Sequence, residues 1–471
     1  MLKLTQKYGI FLFIFVVFFV KANSFIDPDF GWHITEGQQH IENGIAQTDT
    51  LSYSMGTYQY ISHTWLSDSI ISVIYRLTNY QVLAATFSLL AAGAVYIATK
   101  KAHVFSPIVA ASFLMVFGVR IQVLSIFLFT LLVFYYPKIE LKYKTLFLFL
   151  LFALWANLHG GFLIGLLYLS VQVIQPNLKL HTRVQNLRYF AISSIATMLN
   201  PYGIKLIQQV IILSTSSTSR AYISEWSFHP LDLSLSFIFV VCMFLISVYS
   251  RENVKQIKKY MFEIILLFMS VLSIRNTPFF IIVAIIPITN AFHNLQTKVL
   301  DEKISRLRFE TTSYVLYILF GFLLIIESVI SVHQYRKYSE NTYYPKAAVS
   351  YIRQSNRDGN LFAPYNWGGY LDWKLQTKKV FIDGRMDTWN RDTETKGEVR
   401  NAFQTYMSIV SGKETSIHFQ AFRINTVLWF KNESTGLVDT LLKDGWEKEY
   451  EDSVSVIYTR PLVNNKDDKY N

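Results

Sequence analysis

Residues 8–33 read YGIFLFIFVVFFVKANSFIDPDFGWH, an apolar run followed closely by a short acidic motif. The run from Tyr8 to Val20 has the composition of a membrane-spanning helix. A chain that has just crossed a bilayer would therefore place the two carboxylates of Asp27-Pro28-Asp29 in the outer headgroup layer, beside Phe30 and Trp32. This position, more than the tripeptide itself, makes the acidic pair a candidate functional site.

The same apolar run has a second interpretation as a secretory signal peptide. Basic residues precede it, and Val20-Lys21-Ala22 resembles a small-residue cleavage site. Lysine directly before the cleavage point is unusual, however, and removal of the segment would spoil the alternation of basic loops described below. We therefore expect the segment to be retained as a first transmembrane helix.

The composition extends the membrane interpretation to the whole chain. Of 471 residues, 51% are hydrophobic, 16% are aromatic and only 16% are charged. This is more apolar surface than one or two soluble cores require, so the sequence predicts a polytopic α-helical membrane protein. The single cysteine, Cys242, excludes an intrachain disulfide.

The apolar runs, measured against a hydrocarbon core of about 30 Å, predict about eleven transmembrane helices. They form a predicted transmembrane domain over residues 1–332 and leave residues 333–471 as a soluble domain. The predicted spans lie near residues 8–21, 81–99, 104–119, 121–136, 145–158, 161–176, 187–199, 232–250, 260–274, 277–292 and 311–331.

The basic residues predict the orientation of these spans. Lysines and arginines fall on alternate turns, which places those turns and the N-terminus in the cytoplasm and the C-terminal domain outside. Topology then explains the net charge of +11 and disfavours nucleic-acid binding, because the basic residues do not form one folded face. Glu263 and Glu327 lie near predicted span ends, whereas ion-coupled transporters usually carry charges at mid-membrane depth.

The first outer loop, residues 22–80, is too long for a simple turn. Apolar residues recur at helical spacing from Trp65 to Leu77, which predicts an amphipathic helix along the membrane surface. A second helix is predicted from Phe30 to Glu42, with Asp29 at its N-terminus. Asp29 has two interpretations, a helix cap and a catalytic carboxylate, and both remain open.

Arg120 and Arg275 close two similar hairpins on the outer side, each followed by a polar residue, Gln122 and Asn276. A guanidinium at this depth can snorkel to the interface, or it can bind a phosphate with its forked donors. The presence of two such arginines favours phosphate binding slightly.

Paired glycines follow His159, and they allow close approach of either a ligand or a neighbouring helix. Helix packing is the interpretation we favour. His33, His40, His63 and His159 could supply metal ligands together with the aspartates, but no characteristic ligand spacing supports this. Glu225, beside Trp226 on a later outer loop, is a candidate for positioning an acceptor.

After Tyr335 the composition becomes that of a soluble α/β domain. Its most distinctive loop contains Asp383, Arg385 and Asp387, which follow a predicted strand, where α/β domains commonly place ligand groups. An Asp–Arg pair that merely orders a turn is an equally good interpretation. The predicted strands are 361–362, 379–382, 425–430 and 454–458, and the predicted helices are 345–353, 399–408 and 436–442.

Together these features resemble the GT-C superfamily of polyprenyl-phosphate-dependent membrane glycosyltransferases. An acidic motif behind the first span, an amphipathic outer loop, many spans and an exported α/β domain carry the resemblance. Five segments are similar to an uncharacterised bacterial subgroup of that superfamily: residues 27–33, 157–161, 275–278, 368–371 and 381–385.

The resemblance implies an inverting transfer of a sugar from a polyprenyl-phosphate-linked donor at the outer face of the bacterial cytoplasmic membrane. Asp27 would accept the proton of the acceptor, and Asp29 would orient it; either aspartate could bind a divalent cation, Mg²⁺ or Mn²⁺. Arg120 and Arg275 would bind the donor phosphate. The remaining candidates for substrate binding are Trp32, His33, His63, Gln122, His159, Glu225 and Asn276.

The acceptor is not defined by the sequence. The Trp-Trp-Asp signature of oligosaccharyltransferases is absent, which argues against an asparagine of a peptide. A lipid-linked polysaccharide polymerase or ligase is an enzymatic alternative. A transporter or flippase and a glycan-binding membrane protein are alternatives from other classes.

Overall fold

The computed structural model describes residues 2–223, 226, 234–249, 258–299, 303–355, 357–393 and 395–460. In chain order, its helices and strands are α1 (Leu2–Asn23), α2 (Phe30–Asn43), α3 (Trp65–Leu77), α4 (Tyr80–Thr99), α5 (Ser106–Phe113), α6 (Gln122–Phe134), α7 (Leu141–Leu158), α8 (Phe162–Ile174), α9 (Leu180–Ala196), α10 (Ile204–Thr215), α11 (Ser217–Tyr222), α12 (Leu235–Tyr249), α13 (Met261–Leu272), α14 (Thr277–Val299), α15 (Lys303–Tyr335), α16 (Lys346–Ser355), β1 (Asn360–Phe362), α17 (Gly368–Lys374), α18 (Ala402–Val410), α19 (Thr415–Ala421), β2 (Ile424–Phe430), α20 (Gly436–Lys443), β3 (Glu447–Glu451) and β4 (Ser455–Thr459).

These elements form two compact units. The helical unit comprises Met1–Phe25, Ser62–Ile70 and Ile74–Arg336, and the α/β unit comprises Ile26–Ile61, Ile71–Val73 and Lys337–Asn471. The sequence placed the whole of residues 22–80 with the transmembrane helices. In the structure, the part of this loop that carries the acidic motif belongs to the α/β unit.

Four described helices are long and apolar enough to cross a membrane: Tyr80–Thr99, Leu141–Leu158, Ile274–Leu295 and Thr311–Tyr335. Only 22% of the apolar window in the last of these is buried within the chain. Ile318, Phe322 and Val329 of this helix are 68, 60 and 63% exposed. Apolar surface of this extent needs an apolar solvent, so the chain is a membrane protein.

Each of the eleven predicted spans overlaps a helix, although the number that cross the membrane stays a prediction. The run 104–119 differs most from expectation, because α5 has eight residues and would be only about 12 Å long. Beyond α5 the chain is not helical until Gln122, so the hairpin that carries Arg120 begins earlier than the apolar pattern indicated.

The predicted amphipathic helix of the first outer loop is confirmed as α3. Three of its apolar side chains are exposed: Ile70 at 44%, Val73 at 41% and Leu77 at 79%. Asp68 is fully buried and accepts a hydrogen bond of 2.8 Å from Thr64 Oγ1. This polar residue of α3 therefore lies inside the protein, while part of the apolar surface of the helix is exposed.

The α/β unit is built on a four-stranded mixed sheet of order β1-β2-β4-β3. β1 pairs with β2 in parallel, and the other pairs are antiparallel. Alternate residues of β2 lie in two different cores: Val427 and Trp429 in one, Leu428 in the other. The sheet is thus covered on both faces, and Met55 and Tyr60 of the first outer loop complete the first core.

Most predicted elements of this unit are present, but the prediction of a strand at 379–382 is wrong. This segment is not a strand, although Val380 donates a backbone hydrogen bond to Leu51 and accepts one from Tyr53. Its partner is an irregular loop, so no ladder forms. The sequence also missed α17, α19 and β3.

Candidate functional site

The acidic motif forms a tight turn at the start of α2. Asp27 is 6% exposed, and its Oδ1 accepts a hydrogen bond of 3.0 Å from the backbone N–H of Asp29. Asp29 occupies the N-cap position but makes no side-chain cap bond. Its Oδ1 instead accepts a hydrogen bond of 3.1 Å from the indole Nε1 of Trp32. The helix-cap interpretation therefore lacks the bond that defines it.

The acidic turn and α2 lie directly against α17, backbone to backbone. A Cβ added at Gly31 would overlap the backbone carbonyl of Gly369, and one added at Gly369 would lie 2.7 Å from the carbonyl oxygen of Pro28. Only glycine permits this approach. The motifs 27–33 and 368–371, which the sequence presented as separate, thus form one structure.

Behind the acidic turn lies a buried ion cluster centred on Arg385. Its guanidinium donates to both carboxylate oxygens of Asp383, at 2.9 and 2.6 Å, and to Asp49 at 2.9 Å. Glu36 lies 3.9 Å away. The planes of Tyr60 and Trp389 flank the guanidinium, with centroids at 5.0 and 5.3 Å.

Burial and neighbouring charges shift the pKa values of Arg385 and of the nearby Asp372. Burial opposes the charge of Arg385, but Asp383, Asp49 and Glu36 together raise the pKa of Arg385 well above its ordinary value. Burial, and then the neighbouring Asp383, raise the pKa of Asp372 well above its ordinary value. The Asp383–Arg385 pair therefore orders the 383–387 loop from inside the unit, where Asp387 is also buried.

His33 follows Trp32 and its ring lies against the indole, with centroids 3.5 Å apart. Burial lowers the pKa of His33 to about 4, although Asp29 and Asp27 both act in the opposite direction. At neutral pH a neutral imidazole therefore accompanies the acidic pair.

In the helical unit, the hairpins of Arg120 and Arg275 are joined. Gln122, which is 6% exposed, donates a hydrogen bond of 2.6 Å from Nε2 to the backbone carbonyl of Arg275. The Arg275 guanidinium lies 4.7 Å from the ring centroid of Trp226, and Asn276 donates to the carbonyl of Met269 at 3.1 Å. The sequence showed only that the two hairpins are similar, whereas the structure shows that they are in contact.

In the non-helical segment before Arg120, backbone carbonyls accept hydrogen bonds from side chains of other helices. Ser331 and Tyr335 of α15 donate to the carbonyls of Leu114 and Met115, at 3.2 and 3.0 Å. The fully buried Lys21 donates to the carbonyl of Phe117 at 3.2 Å, with its ammonium 3.6 Å from the ring centroid of Tyr335. These contacts satisfy carbonyls that have no helical partner.

His159 and His63 lie close together in the helical unit, with ring centroids 6.2 Å apart. Nδ1 of His159 is 2.7 Å from Ser125 Oγ and accepts the backbone N–H of Gly161 at 3.1 Å. Trp155 donates to the same hydroxyl, which leaves the Ser125 proton for His159. A neutral His159 therefore carries its proton on Nε2.

The glycines after His159 serve close packing. A Cβ added at Gly160 would lie 2.9 Å from Val210, and one added at Gly161 would overlap the Ser125 hydroxyl. This arrangement agrees with the packing interpretation of the motif. Glu225 lies outside the described residues.

Several residues of these clusters were missed by sequence reasoning: Lys21, Glu36, Asp49, Tyr60, Ser125, Trp155 and Asp372. Glu36 and His40 show the i, i+4 spacing of one helix face, which was the available signal for Glu36. No local pattern connects Asp49 with Arg385, because 336 residues separate them.

No protein-family model and no curated protein matches this sequence. Two solved structures are similar. One is the archaeal oligosaccharyltransferase AglB from Archaeoglobus fulgidus, in complex with an inhibitory peptide and a dolichol-phosphate, with a TM-score of 0.57 at 12% identity over 90% of this chain and 70% of that chain. The other is ArnT from Cupriavidus metallidurans in the apo state, with a TM-score of 0.54 at 9% identity over 96% of this chain and 98% of that chain.

The chain shares the fold of both structures. The predicted resemblance to GT-C enzymes is thereby confirmed at the level of architecture, across nine tenths or more of the sequence.

Proposed function

We propose that this protein is a glycosyltransferase that moves a sugar from a polyprenyl-phosphate-linked donor to an acceptor at the outer face of the cytoplasmic membrane. The observation that carries the proposal is the built acidic turn of Asp27 and Asp29 in a chain with a GT-C fold. The dolichol-phosphate in the AglB structure is a lipid phosphate of the kind that the proposed reaction would release from its donor.

The proposed chemistry is a single displacement. Asp27 accepts the proton of the acceptor group as that group attacks the anomeric carbon, and the bond from this carbon to the lipid phosphate breaks. The anomeric configuration is inverted. Asp29 orients the acceptor, and Arg120 and Arg275 stabilise the negative charge that develops on the departing phosphate.

The joined hairpins support the assignment of the two arginines. Gln122 fixes the backbone at Arg275, and the Trp226 ring supports its guanidinium. A guanidinium held in this way loses less conformational freedom when it binds a phosphate.

A divalent cation is compatible with the acidic turn. Carboxylate oxygens are the donors that Mg²⁺ and Mn²⁺ prefer, and Asp27 and Asp29 would supply them. When bound, the cation would offset negative charge on the donor phosphate.

The proposal includes a topology. About eleven apolar segments form the membrane domain, with the N-terminus in the cytoplasm and the C-terminal domain outside. Cysteine residues introduced at the exposed positions Gln59 and Lys101 in a Cys242→Ser background test this topology, because only the outer one should react with a membrane-impermeant maleimide in intact cells.

The activity is tested with purified full-length protein in lipid and labelled polyprenyl-linked sugars extracted from bacterial membranes. We expect label to move from the lipid to a water-soluble or membrane acceptor, and the new linkage to have the inverted configuration by NMR. Retention of configuration would exclude the single displacement. Transport of intact lipid-linked sugar without transfer would instead identify a flippase.

A further inference from the structure

We propose that Trp32 and Gly384 are positioning residues that fix the orientation of the Asp29 carboxylate and, through it, that of Asp27. This inference deepens the proposed function and rests on it for the catalytic consequence. The orientation itself is a property of the α/β unit and can be measured without any activity.

The first observation is the direction of the Trp32 indole. Trp32 is 5% exposed, and its Nε1 can only donate a hydrogen bond. It donates to Oδ1 of Asp29 at 3.1 Å, three residues back along the chain. The ring of His33 lies against the indole and limits its movement. A buried, packed donor thus holds one carboxylate oxygen.

The second observation is the absence of a side chain at residue 384. A Cβ added to Gly384 would overlap Asp29 Oδ1 and would lie 3.2 Å from Trp32 Nε1. The φ angle of Gly384 is not in the left-handed region, so the backbone conformation does not require glycine there. Space for the carboxylate is the reason that remains.

The loop that carries Gly384 is itself held in place. Arg385 bonds Asp383 and Asp49 from within the unit, and the Gly384 carbonyl accepts a hydrogen bond of 3.2 Å from the hydroxyl of Tyr365. A Cβ at 384 could not be accommodated by movement of this loop without breaking buried ionic contacts. The displaced group would therefore be Asp29.

Displacement of Asp29 would reach Asp27 directly. The backbone N–H of Asp29 donates to Asp27 Oδ1 at 3.0 Å, so the two carboxylates share one turn. This connection explains why a residue in the second half of the chain can affect a carboxylate that follows the first transmembrane helix.

The experiment compares Gly384→Ala and Trp32→Phe with two matched controls in full-length protein in detergent. Gly56→Ala adds the same methyl group where the nearest atom would be 3.6 Å away, at ordinary contact distance. Trp429→Phe removes a buried indole whose Nε1 has no hydrogen-bond partner among the described residues. The first readout is the rate at which carbodiimide and glycinamide label Asp29, measured by mass spectrometry.

We expect both test variants to change the labelling rate of Asp29, and both controls to label as the wild type does. In the transfer assay, kcat of the test variants should fall about 10- to 100-fold, as expected for a misplaced catalytic group, with KM unchanged. Thermal unfolding of each variant verifies that it is folded.

Wild-type labelling of Asp29 in both folded test variants would overturn the proposal, as would a KM effect with kcat unchanged. If labelling changes as expected while Asp29→Asn and Asp27→Asn retain full transfer activity, the positioning of Asp29 stands and the proposed function fails.

Discussion

Gln122 Nε2 donates a hydrogen bond of 2.6 Å to the backbone carbonyl of Arg275, a residue 153 positions further along the chain. The bond is buried at Gln122 and ties two hairpins that each present an arginine.

The first prediction concerns this bond. Gln122→Met keeps the length of the side chain but removes the donor, so it should lower stability by about 1–3 kcal/mol and reduce transfer activity about tenfold. Thermal unfolding and initial transfer rates measure the two effects. Gln208→Met, at an exposed position, is the control. Equal behaviour of the two variants would show that the hairpins do not depend on this bond.

Gly31→Ala tests the backbone contact between α2 and α17. The added methyl group would meet the backbone carbonyl of Gly369, which cannot rotate away, and overpacking of this kind costs about 1–3 kcal/mol. We expect a lower midpoint of thermal unfolding, followed by tryptophan fluorescence, with no change for Gly56→Ala. An unchanged midpoint for Gly31→Ala would contradict the contact.

Arg385→Met tests the buried ion cluster. The substitution leaves Asp383, Asp49 and Glu36 buried without their common cation, which should cost about 3–5 kcal/mol. Lys448→Met removes a cation from the exposed surface pair with Glu451 and should destabilise the protein much less than Arg385→Met. Equal destabilisation by the two substitutions would contradict the proposed contribution of the buried ion cluster.

The pH dependence of stability follows from His33 and His40. The pKa of each is lowered to about 4, that of His33 by burial and that of His40 by burial and then by the nearby Arg385. The unfolded chain therefore binds protons at a higher pH than the folded one, so stability is complete above pH 6.5 and falls as the pH decreases towards 4. For the 7% exposed His40 the loss is at most about 3 kcal/mol.

Thermal unfolding of the full-length protein between pH 7 and pH 4.5 measures this dependence. His40→Gln should reduce the fall in the unfolding midpoint, because glutamine does not titrate. A slope that His40→Gln leaves unchanged would contradict the role of His40 and would assign the acid sensitivity to His33 or to the buried carboxylates.

The helices could be predicted from the sequence because their signals are local. The apolar period from Trp65 to Leu77 predicted α3, and the helix predicted from Phe30 to Glu42 ends within one residue of the end of α2. The length of α5 was overestimated because the apolar run continues past Phe113. The helix ends there, and side chains of α1 and α15 donate hydrogen bonds to the backbone carbonyls that follow.

The candidate site could be predicted only in part. The acidic motif, the glycine pair at 368–369 and the loop at 383–387 were each recognised, but their association depends on contacts between residues more than 300 positions apart. The segment 379–382 shows the same limit. Its apolar pattern is typical of a strand, yet its partners are Leu51 and Tyr53 of the first outer loop, and no strand forms.

The most direct test of the proposed function is sugar transfer by wild type, Asp27→Asn and Asp29→Asn under identical conditions, with folding of each verified by thermal unfolding. Asparagine preserves the shape of the turn but cannot accept a proton, so Asp27→Asn should lose at least about 100-fold in kcat. Asp29→Asn should lose less, because it retains an oxygen for the Trp32 indole. Transfer at the wild-type rate by both variants would contradict the account.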